Sequence, residues 1–118
     1  MKLQIEGQRL RVRIDEDELA RLLGGEPLVS RSRFAGAFAL ACTVRLEDAG
    51  PAVFSGSPDA WRIVLPAAEV RAYAGRLPTR DGLAFTQAGT DADDALALSF
   101  DVDVRDSVRR RHPRPGRT

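Results

Sequence analysis

Between Arg105 and Arg117 six arginines, Arg105, Arg109, Arg110, Arg111, Arg114 and Arg117, stand against one acidic residue, Asp106. Guanidinium groups at this density neutralise phosphates and release counterions, so they are candidate nucleic-acid contacts whose affinity would fall steeply with salt. The stretch has no apolar residue after Val108 and no aromatic residue at all. It offers no base-stacking platform and nothing to bury, and its composition predicts that residues 105–118 form a basic, flexible tail. The chain as a whole carries a net charge of +1. With +5 in the tail, residues 1–104 are left at −4.

The other chemistry-bearing sets have simpler structural uses. Asp15, Glu16, Asp17 and Glu18 suggest a cation site, but carboxylates at a helix start are favoured by capping and by the helix dipole. Asp91, Asp93 and Asp94 alternate as in a calcium loop, yet the glycine and the distal glutamate of such a loop are missing. His112 has no nucleophile near it in sequence, and Cys42 falls at an inward position of an alternating strand, where a thiol acts as a small apolar residue. Gln4, Glu6, Arg9, Arg11, Arg13, Arg31, Arg33 and Arg45 sit at the polar positions of predicted strands. Lining a barrel lumen, they would make a phosphate-ligand-binding barrel resembling the tunnel enzymes that take triphosphates. Those enzymes alternate glutamates ahead of a lysine, and QIEGQRLRVR does not, so the expectation is the solvated face of a half-buried sheet. No catalytic set converges, no cofactor is called for, and one Cys with one His does not make an ordinary zinc site.

These residues need elements to hold them, and the elements come twice. Shifted by 51 residues, RLRVRIDEDELARLLGGEPLVSRSRF falls on AWRIVLPAAEVRAYAGRLPTRDGLAF. Arg11 then matches Arg62, Glu18 matches Glu69, Gly24 matches Gly75, Pro27 matches Pro78 and Phe34 matches Phe85. In each half a period-two hairpin comes first, with Leu3, Ile5, Leu10, Val12 and Ile14 alternating in one and Phe54, Trp61, Ile63 and Leu65 in the other. A short helix follows: Asp15 and Glu18 are spaced as a capping box, and Pro66 suits the first turn of the second helix. Gly24 and Gly75 are expected to be left-handed helix stops. Two more strands complete each half, about 28–34 and 37–46, then 82–86 and 95–104. Alternation aligns the last strands at a shift of 58, which implies about seven extra residues near QAGTDADD, an acidic loop expected to be mobile. The predicted fold is α+β and β-rich: two tandem ββαββ units, about 1–50 and 51–104, forming a small pseudo-twofold β-barrel or sandwich with two short peripheral helices. Residues 1–104 are expected to be a single globular domain.

The segment RIVLPAAEVRAYAGRLPTRDGLAF resembles the swapped-hairpin units of bacterial transition-state regulators and antitoxins, which intertwine two chains and bind DNA. The whole chain resembles a family of short bacterial proteins to which no activity is attached. Its members open like MKLQIEGQRLRVRIDEDELARL, have a strand-to-helix step like WRIVLPAAEVRAY, and close on Asp-Phe-x-Cys-Leu-His-Pro-Arg. Here that close reads DSVRRRHPR, keeping His112, Pro113 and Arg114 without the Phe and the Cys. The expectation from residues and resemblance together is a small, non-catalytic binding or interaction domain acting on a protein partner or a second copy of itself. The alternative is a nucleic-acid-binding protein using the arginine-rich C-terminus. No apolar run reaches the ~18 residues of a membrane span and the opening lacks a signal-peptide centre, so a cytoplasmic setting without membrane contact is expected.

Overall fold

A computed structural model describes residues 1–104. The strands are β1 (Lys2–Glu6), β2 (Arg9–Ile14), β3 (Leu28–Phe34), β4 (Phe38–Glu47), β5 (Val53–Ser57), β6 (Ala60–Pro66), β7 (Leu83–Gln87) and β8 (Leu96–Val102). Helix α1 (Glu16–Leu23) follows β2, and α2 (Ala67–Ala74) follows β6. The fold is α+β and strand-rich. Among the described residues no helix is long and apolar enough to cross a membrane.

Two four-stranded sheets form, in the orders β1-β2-β8-β7 and β3-β4-β6-β5. Each consists of two antiparallel hairpins joined at their inner strands by a parallel pair, β2 with β8 and β4 with β6. Val12 lies opposite Phe100, and Ile63 lies opposite Val44. The paired strands of the two sheets therefore correspond at offsets of 51 and 56 residues, where alternation alone suggested 58. Both even offsets keep the same side chains inward, which is why the pattern could not separate them.

The apolar faces of both sheets and the apolar stripes of both helices meet in one core, which includes Val12, Ile14, Leu22, Val44, Ile63, Leu65, Val70, Tyr73 and Phe100. The closed barrel does not form. β1 and β7 are edges of one sheet, β3 and β5 of the other. Between β5 and β7 the link is a side chain: Phe54 N–H donates to Gln87 Oε1 at 2.6 Å, and Gln87 Nε2 donates to Phe54 O at 3.0 Å.

Local chemistry sets the helix ends. Glu18 N–H donates to Asp15 Oδ1 at 2.7 Å and Asp15 N–H donates to Glu18 Oε1 at 3.1 Å, a complete capping box. Pro66 precedes α2 with extended backbone and makes no side-chain cap. Gly24 and Gly75 are not left-handed, having φ of −77° and −68°. After α1 the reversal falls one residue later, at Gly25 with φ +94°, because the Gly24 N–H still bonds helically to Ala20 O. Within the acidic segment QAGTDADD the chain forms a 3₁₀ turn, Ala92–Asp94. In the core the Tyr73 hydroxyl accepts the Val102 N–H at 2.9 Å, and its ring meets Phe100 edge-on with centroids 6.2 Å apart.

Candidate functional site: basic sheet faces and an aromatic hairpin tip

Period-two alternation turns Leu10, Val12 and Ile14 of β2 inward, so Arg9, Arg11 and Arg13 face outward. On β8 the same rule turns Leu98, Phe100 and Val102 inward and Ala97, Ser99 and Asp101 outward. The parallel register sets Arg13 beside Asp101 and Arg11 beside Ser99. Arg11 reaches Asp101 bidentately, Nε to Oδ1 and Nη2 to Oδ2, both at 2.9 Å, while Arg13 Nε donates to Oδ2 at 2.9 Å. Asp101 is 9% exposed and is the only buried charged residue among the described residues. Burial, the largest single effect on its carboxyl, pushes the pKa up, but hydrogen bonds and charge from Arg11 and Arg13 together outweigh it and hold the group below the ordinary carboxylate value. The carboxylate thus fixes two guanidiniums side by side. Lys2, Gln4, Arg11 and Arg13 line a shallow hollow of about 90 Å³ on this face. A second, of about 200 Å³, continues past Arg11 to Arg80, Ser99 and Asp101.

The other sheet turns Arg31, Arg33, Arg45 and Arg62 outward, on the sides of β3, β4 and β6 opposite to Leu28, Cys42, Val44, Ile63 and Leu65. Arg45 pairs with Glu47 at 2.8 Å. Among the described residues Arg31, Arg33 and Arg62 have no ion pair. A hollow of about 380 Å³ lies over small side chains, Ala41, Thr43, Ser57 and Ala60, beside Arg62.

A third feature is apolar. Phe34 and Phe38 are opposite one another at the end of the β3–β4 hairpin, on the same side of the strands as Cys42 and Val44. The hairpin runs past the core, so the two rings are 45% and 65% exposed. They pack on each other instead, with centroids 4.9 Å apart. The turn between them places Ala35 at φ +53°, a left-handed conformation that costs a side-chain-bearing residue about 1 kcal/mol.

Of the residues that the sequence marks out, the strand arginines are all on outer sheet faces and none lines a lumen. Asp15 and Glu18 spend their carboxylates on the capping box, and Glu18 also holds the Met1 amino group at 2.8 Å. Asp91 accepts from the Asp93 N–H, while Asp94 accepts from the Asp91 N–H and the Thr90 hydroxyl. The Asp91 amide, then Thr90, hold the Asp94 carboxyl down at about 2. Cys42 is 1% exposed, and burial pushes its thiol up to about 11, so it is protonated near neutrality. Arg105, Arg109, Arg110, Arg111, Arg114, Arg117 and His112 lie outside the described residues. Asp101 and the Phe34–Phe38 pair are not marked out by residue type and spacing alone. The available signals were an aspartate on the polar side of an alternating strand and two phenylalanines flanking an Ala-Gly-Ala turn. No family model and no curated protein matches the chain.

Proposed function

We propose that this protein is a non-catalytic binding domain that takes a protein partner at the tip of the β3–β4 hairpin. The carrying observation is the mutually packed, half-exposed Phe34–Phe38 pair, its rings tilted at 40°, which lies outside the core cluster. Phe and Arg are enriched at protein interfaces relative to the rest of the surface, and Phe rings already packed on each other have little rotamer freedom left to lose. Arg31 and Arg33 stand on the other side of the same strand, so the fitting partner is an apolar segment flanked by acidic residues. Selection from a random peptide display library tests this. Wild type enriches apolar peptides with acidic flanks, and Phe34→Ser/Phe38→Ser loses them while melting within a few degrees of wild type. No enrichment, or enrichment indifferent to the two rings, rejects the proposal.

A second reading, nucleic-acid binding, is supported by the arginines on both outer sheet faces together with those of residues 105–117. It requires filter retention of duplex DNA at low salt that declines with added salt and with deletion of residues 109–118. No retention at low salt, or retention unaffected by that deletion, sinks it.

The same domain reads as two copies of one ββαββ unit with their hairpins exchanged. What supports this is the repeated element order, the matched parallel pairs and the constant offsets of their registers. The exchange is also what the resemblance to swapped-hairpin regulators implies, with two halves of one chain in place of two chains.

A further inference from the structure

The four sheet edges differ in what a second strand would meet there. β5 and β7 are tied to each other, because Gln87 occupies the N–H and C=O of Phe54. β3 carries Arg31 and Arg33 outward, and an antiparallel copy of β3 centred on Arg31 would set arginine against arginine. β1 has neither protection, and among the described residues it pairs only with β2. Its sequence is Lys2, Leu3, Gln4, Ile5, Glu6.

We propose that β1 is a self-association edge: two copies of the chain join antiparallel, β1 to β1, about a twofold axis at Gln4. In that register Lys2 faces Glu6 of the second copy, Leu3 faces its Ile5, and Gln4 faces Gln4. Lys2 and Glu6 have no ion pair within the described residues, and Ile5 is 62% exposed although it lies on the apolar side of the sheet. The partner supplies what each lacks.

Backbone polarity selects the same register. Ala97 N–H donates to Gln8 O and Asp103 N–H donates to Ile14 O, so the even-numbered residues of β2 direct their peptide groups toward β8 and the odd-numbered ones toward β1. Arg9, Arg11 and Arg13 face Glu6, Gln4 and Lys2, and these pairs exchange the β1–β2 hydrogen bonds. The N–H and C=O of Leu3 and Ile5 therefore point out of the open edge. Centring on Gln4 lets Leu3 and Ile5 exchange hydrogen bonds across the junction. A slip of two residues keeps hydrogen bonds but separates Lys2 from Glu6, and a parallel pairing sets like against like.

The joined sheet would have eight strands. Its apolar side runs Val12, Leu3, Ile5, Leu10 across the junction, and its outer side brings both sets of Arg9, Arg11 and Arg13 onto one surface. A junction of five residues per chain is small, so the dimer is weak and reversible.

Sedimentation velocity between about 10 µM and 1 mM covers the range of such an equilibrium. Wild type shifts from monomer to dimer, and the amides of Leu3 and Ile5 gain protection from hydrogen exchange with concentration. Lys2→Glu and Glu6→Lys each weaken the dimer at least tenfold, and the double reversal restores it. Both substitutions are at exposed positions, and melting curves confirm that all three variants fold. A chain monomeric throughout, a dimer indifferent to the reversals, a double variant as weak as the singles, or Leu3 and Ile5 amides that stay unprotected would overturn the proposal. Loss of peptide binding at Phe34 and Phe38 would leave it standing, since the two tests touch different sheets.

Discussion

Asp101 converts a row of arginines into a fixed surface, and its cost and benefit follow from burial. A carboxylate this enclosed is stable only because two guanidiniums reach it, and those guanidiniums are 44% and 38% exposed, so water replaces much of what they would lose. Asp101→Asn is expected to lower stability at pH 7 by about 1 kcal/mol, below the ~1.5–3 kcal/mol usual for hydrogen bonds to charged groups because solvent screens the exposed guanidiniums. The sign with pH follows from a folded-state pKa below the unfolded one. The contribution is fully present above about pH 4 and is lost as pH falls through the lower, folded value. Urea midpoints of wild type and Asp101→Asn should therefore differ at pH 7 and converge toward pH 2; a constant gap would reject the assignment. Alternation in the sequence already put Arg11, Arg13 and Asp101 at polar positions. It carries no information that β2 and β8, some ninety residues apart, are neighbours.

At the scale of elements, what was legible is what is local. The capping box of Asp15 and Glu18 is a three-residue relation between a side chain and nearby amides, and the strand faces follow from period two. Two features failed for a common reason. The helix stop moved from Gly24 to Gly25 because the last helical hydrogen bond extends through Gly24, and the offset of the last strand is 56 because two even shifts give one face pattern. Neither is fixed by residue type alone. The Gln87 bridge was equally invisible, since a glutamine at a strand end is ordinary until another sheet's edge lies beside it. Gln87→Leu removes both hydrogen bonds to Phe54 and leaves its half-buried edge groups to find water, at an expected cost of about 1–2 kcal/mol. Hydrogen exchange locates the effect: the Phe54 amide should exchange at least tenfold faster while the Val44 and Ile63 amides keep their protection relative to global stability. Uniform loss across both sheets would mean that the bridge only adds to overall stability and does not close the β5–β7 edge.

For the whole molecule, the decisive fact is that neither sheet belongs to one half of the chain. The sheet β1-β2-β8-β7 takes one hairpin from before residue 50 and one from after it, and so does the sheet β3-β4-β6-β5. Both parallel pairs, β2 with β8 and β4 with β6, cross between the halves. A half alone would hold two hairpins and one helix with open inner strands, and isolated hairpins are marginal in water. It could satisfy those strands only with a second half. Residues 1–50 and 51–118, produced separately, are therefore expected to be unfolded or to associate as dimers, and mixing them at equal concentration should recover the far-UV circular dichroism and a single sedimenting species of the intact chain's mass. A half that folds cooperatively as a monomer would break this account, because its strands would then pair in an order other than the one that sets Arg11 and Arg13 on Asp101. Joining the halves through the segment between β4 and β5 makes their meeting intramolecular, which removes the concentration dependence that the separated halves should display.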